Sequence, residues 1–316
     1  MMRNQEAHDP CAGAWRVLRA RPRQALLGGV APYRGIEVAF GGPRSRLEMP
    51  TGLATLVFGF GDPLRIFPAV GGGRADAVQA ASIVSVPHTN AHMGTHTGNV
   101  RALEVTLTPP AAARVLGVPL TEFTRPIHDL ADVMGADAAL LLEQLTEAAD
   151  WAQRFALLDR FLARRLDEAP PCPPAVAWLW RRLNAVPGPR VRELCAELEW
   201  SERQLRRRFT QHVGITPKQV AVVARLQRAL RLEATGVALA DIAHAAGYHD
   251  HAHMDHAFTA LTGLTPSAYR ARRQASGTPD LLADRVPARV TGLPLTPSGR
   301  VPRGLGMRKQ VIPRDR

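Results

Sequence analysis

The first half of the chain has short apolar stretches separated by glycine and proline. Within residues 102–107, apolar Leu103, Val105 and Leu107 alternate with polar side chains, the period-two pattern of a strand with one buried face. Gly-Asp-Pro and Val-Gly-Gly-Gly sequences between the apolar stretches are typical of turns. We therefore predict a small, mostly antiparallel β domain that begins near residue 31.

After these strands the apolar spacing changes to that of helices. The segment Pro-Pro-Ala-Ala-Ala-Arg-Val-Leu-Gly has the proline and the glycine that helix ends favour. Further on, Trp151, Phe155 and Leu158 recur at the spacing of one helix face. We expect these helices to complete an N-terminal domain at residues 31–168. The run Ala-Pro-Pro-Cys-Pro-Pro at 169–174 then predicts a stiff linker.

Residues 175–273 have helical spacing almost throughout and contain an internal repeat. Leu205, Phe209, Gly214, Thr216 and Pro217 each match a residue 49 positions later. Upstream, matching residues are 48 positions apart, so the turn of the second copy is one residue longer. A repeat of this length is one supersecondary unit used twice. The five partners are Met254, Phe258, Gly263, Thr265 and Pro266.

Each copy is predicted to be a helix, a tight turn and a second helix. Ser201 and Asp250 are suited to cap the second helices, because their side-chain oxygens can accept hydrogen bonds from unpaired first-turn N–H groups. Small residues at Cys195 and Ala243 would let the two helices of each copy cross closely. A projecting second helix is what a helix-turn-helix inserts into the major groove of DNA.

The second helices carry polar residues opposite their apolar stripes. The first presents Glu202, Arg203, Arg206, Arg207 and Thr210, and the second presents His251, Ala252, Asp255, His256 and Thr259. Arginine at such positions can bind phosphate or fork onto guanine O6 and N7. A solvated basic surface with no partner is the alternative. The turn, the cap and the repeat together favour DNA.

Four histidines lie between Gly247 and Phe258 in the second copy, at His249, His251, His253 and His256. His249, His253 and His256 would share a face if the helix began early, which raises the alternative of a metal site. We expect His249 in the turn before the cap, so the groove-facing side accounts better for the cluster. Imidazole can donate to a phosphate or a base, and nearby phosphate favours its protonated form.

A second histidine group, His88, His92 and His96, has a four-residue spacing in the N-terminal half. The Pro, Thr and Gly residues around it disfavour a helix, so we predict a loop. That loop either lines a small-molecule pocket or lies at the surface without a role.

Residues 217–234 predict a single helix between the two copies, with Pro217 in its first turn. Eighteen residues at about 1.5 Å each span roughly 27 Å. This length can hold two recognition helices near the roughly 34 Å that separates successive major-groove faces. One chain could therefore read two adjacent grooves.

The net charge of +12 is unevenly distributed along the chain. Residues 1–171 hold 17 basic and 17 acidic residues, residues 172–273 hold 15 and 8, and residues 274–316 hold 8 and 3. This asymmetry indicates a polyanionic partner for the C-terminal part. Residues 274–316 are rich in Pro, Gly and Arg and predict a basic disordered tail. Residues 1–30 are expected to be a loosely ordered leader.

Several classes of protein are disfavoured by what the sequence lacks. It has no apolar run long enough to span a membrane and no signal-peptide pattern, so we predict a cytoplasmic location. It also has no nucleophile motif, phosphate-binding loop or paired carboxylates, so we predict neither an enzyme nor a cofactor. A DNA-targeted enzyme would need a reactive cysteine, but Cys11, Cys172 and Cys195 lie in the leader, the linker and a core position.

Two groups of residues in 175–273 carry a resemblance to a known family. The first group is Ser201, Arg203, Leu205, Arg207, Phe209, Gly214 and Pro217. The second group is Ile242, Ala243, Gly247, Tyr248, His253, Phe258, Gly263, Thr265, Pro266, Tyr269 and Arg270. Together they resemble the double helix-turn-helix of the AraC family of bacterial transcription regulators. The N-terminal half is a weaker match to the sensor halves of some members.

The resemblance implies which side chains contact DNA. From the first unit they are Ser201, Arg203, Gln204, Arg206 and Arg207, and from the second unit His251, Ala252, Asp255 and His256. The second unit departs from the family pattern, in which a neutral polar residue is usual at Asp255 and arginine at His256. Asp255 would repel phosphate, although it could accept from cytosine N4. We therefore expect the first unit to supply most of the affinity.

These observations predict an α+β protein in which an N-terminal sensor or oligomerisation domain of antiparallel strands and trailing helices precedes an all-α domain. The predicted function is sequence-specific binding of double-stranded DNA as a transcriptional regulator. RNA polymerase, a small-molecule effector and a second copy of the chain are candidate partners, and no membrane, cofactor or metal is expected. A metal-responsive regulator that uses the histidine clusters is the main alternative.

Overall fold

The computed structural model describes residues 3–9, 13–185, 191–276, 284 and 286–295. Its strands are β1 (Arg3–Asp9), β2 (Gly13–Ala20), β3 (Tyr33–Ala39), β4 (Arg44–Glu48), β5 (Ala54–Gly59), β6 (Leu64–Pro68), β7 (Val78–Ala80), β8 (Ile83–Ser85), β9 (His92–His96), β10 (Asn99–Leu107), β11 (Ile127–Asp129) and β12 (Gly292–Leu295). They form two antiparallel sheets. Sheet 1 has the order β1-β2-β3-β10-β5-β8-β11, and sheet 2 has the order β12-β4-β9-β6-β7.

The helices are α1 (Pro109–Leu116), α2 (Leu130–Glu147), α3 (Trp151–Glu168), α4 (Pro174–Asn184), α5 (Val191–Leu198), α6 (Glu202–Val213), α7 (Pro217–Ala234), α8 (Leu239–Ala246), α9 (His251–Thr262) and α10 (Pro266–Ala275). The predicted fold class is therefore confirmed, with antiparallel strands first and a helical C-terminal region. In the described part of the chain, none of these helices has both the length and the apolar character needed to cross a lipid bilayer.

Sheet 1 forms the base of the N-terminal core. The predicted strand at 102–107 belongs to β10, which pairs with both β3 and β5. Leu103, Val105 and Leu107 are fully buried against helices α1 to α3, as their alternation predicted. Gly35 lets α3 approach closely, because a Cβ atom there would come within 2.6 Å of the Trp151 ring.

Sheet 2 is the middle layer of the molecule. On one side, Ile66 and Ala80 pack with Val57 and Ala102 of sheet 1. On the other side, its apolar residues share one core with helices of the C-terminal half. That shared core contains Leu47, Met49, Phe67, Met93, Leu226, Leu230, Phe258, Leu261, Tyr269, Val290 and Leu293. The regions expected at 31–168 and 175–273 are thus joined by a common apolar core.

The expected loose leader at 1–30 is wrong for much of its length. Strand β2 pairs with β3 from Ala14 opposite Ala39 to Ala20 opposite Tyr33. Leu18 is buried in the sheet 1 core. The Arg-rich composition of this segment hid a strand, because only alternate side chains need be apolar in an antiparallel strand that has one solvent-facing side.

The expected disordered tail at 274–316 is also wrong for residues 286–295. Strand β12 pairs with β4, and Val290 and Leu293 are buried in the shared core. A few apolar residues suffice here because the surrounding core is supplied by sheet 2 and α7. Residues 296–316, which the same prediction covered, lie outside the described residues.

Candidate nucleic-acid interface

The first helix-turn-helix unit consists of α5, a short turn and α6. Ser201 caps α6 as predicted: its Oγ accepts from the Gln204 backbone N–H at 3.3 Å, and Gln204 Oε1 accepts from the Ser201 N–H at 3.0 Å. Leu205 and Phe209 are fully buried in a core formed with α4 and α5. This reciprocal cap and the buried stripe fix where α6 begins and which side faces outward.

The second unit, α8 to α9, repeats this geometry. Asp250 caps α9, with its Oδ1 accepting from the His253 N–H at 2.7 Å. Met254 and Phe258 are buried, at the positions that match Leu205 and Phe209. This capping bond is the main cause of a lowered pKa of the Asp250 carboxyl, and the hydrogen bond between Asp250 Oδ2 and the His249 ring lowers that pKa further.

The two turns close in the same way. The Trp200 N–H donates to Cys195 O at 3.0 Å, and the Tyr248 N–H donates to Ala243 O at 2.9 Å. Glu199 occupies the left-handed region at φ 53°, where the second unit has Gly247 at φ 88°. A glycine adopts this conformation without the strain that a Cβ atom introduces. The repeat predicted from the sequence is therefore a repeat of backbone geometry.

The outward face of α6 is cationic. Arg203, Arg206 and Arg207 are exposed, and no residue in the described part of the chain forms an ion pair with them. Arg208 lies over the Trp200 ring, with its guanidinium carbon 4.7 Å from the ring centroid. Unengaged guanidinium groups on a projecting helix can bind phosphate or base edges without first breaking an internal contact.

The outward face of α9 is different, because its polar groups contact one another. His251 Nε2 lies 3.6 Å from Asp255 Oδ1, one turn further along the helix. His256 Nδ1 lies 3.3 Å from Ala252 O. His251, Ala252 and His256 are exposed, and Asp255 is partly exposed. Contact with DNA would have to replace or bridge these internal interactions.

All nine residues predicted to contact DNA lie at the first turns or outward faces of α6 and α9. Ser201 and Gln204 are engaged in the capping box, which leaves the Gln204 side-chain NH₂ as the donor that could reach outward. Sequence reasoning missed the Trp200–Arg208 stack and the Arg225 guanidinium, which lies 5.8 Å from the Tyr248 ring centroid. An aromatic residue at the same place in both turns was the signal available for them.

Helix α7 joins the units as predicted. It spans Pro217–Ala234, and Thr216 forms a capping box with Gln219 at its start. Its core residues Val220, Val223, Leu226 and Leu230 are buried. A single unbroken helix gives the two units a fixed separation along the chain.

The histidine group in the N-terminal half does not form the predicted loop. His92 and His96 belong to strand β9, and His92 is buried. The His88 and His92 rings lie 4.6 Å apart, edge to face. Desolvation lowers the pKa of His88 to about 3 and also lowers the pKa of His92. Both rings are therefore neutral near pH 7.

The metal and enzyme alternatives depend on the placement of the histidine, cysteine and carboxylate side chains. Within the described ranges, no group of three or more His, Cys, Asp or Glu side chains is arranged to hold a metal ion. Burial raises the pKa of the Cys172 and Cys195 thiols, which lowers the thiolate fraction that a nucleophile needs. Cys11 lies outside the described residues.

A family model described as a helix-turn-helix domain matches residues 194–272, which include the first unit from the middle of α5 onward, α7 and the second unit. The chain therefore carries a DNA-binding domain of a transcription regulator. The domain is of the AraC type, as the resemblance predicted.

Solved structures of three regulators are similar over different parts of the chain. ToxT from Vibrio cholerae has 10% identity, with 77% of this chain and 96% of that chain covered and a TM-score of 0.42. The C-terminal domain of the response regulator AraT from Geobacillus stearothermophilus has 23% identity, 32% and 88% coverage and a TM-score of 0.31. The DNA-binding domain of AdpA in complex with a target DNA has 28% identity, 32% and 90% coverage and a TM-score of 0.29.

No curated protein sequence matches the chain. The assignment of the domain rests on the family match and on the repeated helix-turn-helix geometry, since all three TM-scores are below 0.5.

Proposed function

We propose that the protein is a sequence-specific regulator that inserts α6 and α9 into successive major grooves of one DNA duplex. The observation that carries this proposal is the repeat itself. Two units with matching caps and turns present exposed polar helix faces, and α7, of 18 residues, joins them. At about 1.5 Å per residue, α7 has the length to place the two helices near one helical turn of DNA apart.

In this proposal the first unit provides most of the affinity. Arg203, Arg206 and Arg207 contact phosphates or guanine edges, and Gln204 can donate to a base. In the second unit, His251, Ala252, Asp255 and His256 face the adjacent groove. Asp255 can accept from a cytosine N4 but repels phosphate, so this unit contributes more to base preference than to affinity.

The N-terminal region is proposed to modulate this binding. Its sheet 2 shares a core with α7 and α9, so a ligand that prefers one arrangement of that core would change DNA affinity. A small-molecule effector, RNA polymerase and a second copy of the chain are the partners proposed for this region and its surroundings. The proposed setting is the cytoplasm, where a regulator meets promoter DNA.

The test begins with selection of DNA sites from a random pool by the purified protein. On the selected site, Arg207→Ala should weaken binding by about 1–3 kcal/mol, because a buried charge-assisted contact is lost. Arg160→Ala is the matched control, because it removes the same charge from an exposed position on α3. Unchanged affinity of the Arg207 variant in a gel-shift titration, or an equal loss in the Arg160 variant, would count against the proposal.

A further inference from the structure

The segment that follows the DNA-binding domain returns to the N-terminal sheet. Strand β12 pairs with β4 along Gly292 to Leu295, and Leu293 sits opposite Leu47. Val290 and Leu293 are 3% and 0% exposed in the core that sheet 2 shares with α7 and α9. The segment thus joins the C-terminal half, which it follows in sequence, to the N-terminal half, which is distant in sequence.

Two side chains of α7 hold this segment: the exposed Arg231, whose Nη1 donates to Ala288 O at 3.1 Å, and the buried Gln227. Gln227 is fully buried, and its Nε2 donates to Pro50 O and to Val290 O, each at 2.9 Å. Its Oε1 accepts from the Val290 N–H at 3.0 Å. The three bonds use both amide hydrogens and the oxygen, so Gln227 links the joining helix to the N-terminal domain and to the returning segment at once.

Further polar contacts tie the same segment to its surroundings. Arg46 donates from Nη2 to Thr291 Oγ1 at 3.0 Å, and the Thr291 N–H donates to Asp284 Oδ1 at 3.1 Å. Asp284 also pairs with Arg273 of α10 at 3.1 Å. Arg289 donates to Asn184 Oδ1 at 2.7 Å, at the end of α4. The segment is therefore attached to β4, α4 and α10 as well as to α7.

Both recognition helices are also held at their C-terminal ends by the N-terminal half. The Ala91 N–H donates to Leu261 O of α9 at 2.7 Å. Gly214, which ends α6, lies so close to Leu120 that an added Cβ would be 2.8 Å from the Leu120 Cβ. The outward faces of both helices remain exposed, so these contacts orient the helices without covering them.

We propose that Gln227 is a positioning residue for DNA binding. Its hydrogen bonds to Val290 and to the Pro50 carbonyl hold residues 286–295 and the N-terminal domain against α7, and this fixes the orientation of the second unit relative to the first. This inference rests on the proposed two-groove binding. A fixed orientation pre-organises the molecule, so the ordering cost of engaging the second groove is met before DNA arrives. Without these hydrogen bonds, the first unit binds its half of the DNA site as before, and the second unit occupies its groove less often.

The proposal is tested with two DNA duplexes derived from the selected site. One carries the full site, and the other keeps only the half read by the first unit, with the remaining bases replaced. Gln227→Leu, which fills a similar volume but cannot hydrogen-bond, should lose at least tenfold in full-site affinity and less than about twofold on the half site. Gln144→Leu, an exposed glutamine on α2, is the matched control and should change neither. Equal losses on both duplexes, or no loss on either, would overturn the proposal.

A DNA-free measurement separates this inference from the proposed function. Hydrogen exchange of the amides of β12 and of the Ala91 N–H should rise in Gln227→Leu while the α6 amides stay protected. If wild-type protein selects no DNA, the two-groove function fails, and the exchange pattern alone decides whether Gln227 holds the segment. Unchanged exchange would overturn it. Should Gln227→Leu fail to fold, Leu293→Ala, which alters the returning segment and leaves α7 intact, is read by the same two criteria.

Discussion

The two helix-turn-helix units share a backbone plan but differ in their surroundings and their surfaces. The first unit shares its core with α4, and its outward arginines have no ion-pair partner among the described residues. The second unit sends Phe258 and Leu261 into the core it shares with sheet 2, and its outward His251 and Asp255 contact each other. This difference supports the proposal that the arginines of the first unit provide most of the DNA affinity, whereas the position of the second unit depends on its contacts with sheet 2.

The largest expected effect tests the difference between the two cores. Phe209→Ala and Phe258→Ala each remove a buried ring and should each cost about 3–5 kcal/mol of folding free energy. Only the Phe258 change should increase hydrogen exchange in β9, because only Phe258 packs against sheet 2. Exchange in β9 that rises equally in both variants would show that the two cores are not distinct.

The second-largest expected effect distinguishes the outward faces of α6 and α9. Arg206→Ala should weaken binding to the selected site by about 1–3 kcal/mol and lower the salt slope by about one. His256→Ala should cost less than about a tenfold change, since His256 Nδ1 already lies 3.3 Å from Ala252 O and a contact with DNA would have to replace that interaction. Gel-shift titrations at several salt concentrations measure both quantities. A larger loss for the histidine variant would reverse the assignment of roles.

Acid should weaken the contact between the N-terminal half and α9 before it affects the first unit. This contact is the hydrogen bond from the Ala91 N–H to Leu261 O, near His88 and His92 in sequence. His88 and His92 have folded pKa values below the unfolded value near 6.5, so the folded protein binds fewer protons. Their contribution to stability is complete above about pH 6.5 and falls as the pH drops below it, by at most about 1.4 kcal/mol per pH unit for each proton. For His88 this fall continues to about pH 3. Glu48, the nearby carboxylate that favours protonated His92, reduces this slope.

The acid effect can be located by hydrogen exchange corrected for intrinsic rates. Between pH 7 and pH 5, protection of the Ala91 N–H, which bonds Leu261, should fall more than protection of the Trp200 N–H in the first turn. His88→Gln should flatten the dependence of the melting temperature on pH. A melting temperature that rises on acidification from pH 7 to pH 5 would contradict the assignment.

The turns offer a paired test of smaller size. Gly247→Ala places a Cβ at φ 88° and should destabilise the second unit by about 1–2 kcal/mol. Glu199→Gly relieves the same kind of strain at φ 53° and should stabilise the first unit by at most about 1 kcal/mol. Chemical denaturation gives both values. Effects of the same sign would show that the two turns are not equivalent.

The smallest expected change lies at Asp255. Asp255→Asn removes a negative charge from the face of α9 and frees His251 from its 3.6 Å contact. Binding to the selected site should tighten by about 0.3–1 kcal/mol at low salt, with less gain at high salt. If instead the variant binds more weakly and loses preference for one base pair, Asp255 accepts from a cytosine in the groove.

Local patterns were enough to predict most of the C-terminal half. The caps at Ser201 and Asp250 and the glycine at Gly247 act within a few residues of themselves, so their sequence neighbourhood is sufficient. The internal repeat supported the prediction independently, because the same apolar positions and turn residues occur in both copies. The nine DNA-contact residues remain predictions, although the structure places them on the first turns and outward faces of α6 and α9.

What could not be predicted depends on partners distant in sequence. Residues 292–295 form strand β12 because they pair with β4 and bury Leu293 in the shared core. The sequence around Gln227 shows only a polar residue on a helix and does not indicate its distant partners. The Pro, Thr and Gly residues around His92 predict a loop, yet pairing of β9 with β4 and β6 makes the segment a strand. Tertiary pairing outweighed local preference in each case.

The central claim is that α6 and α9 occupy consecutive major grooves of one duplex. Hydroxyl-radical footprinting and guanine-methylation interference on the selected site test it most directly. The account predicts two protected patches on one face of the DNA, about 10 base pairs apart, with interference in the first patch lost in Arg207→Ala. A single protected groove, or two patches whose spacing does not match one helical turn, would contradict it.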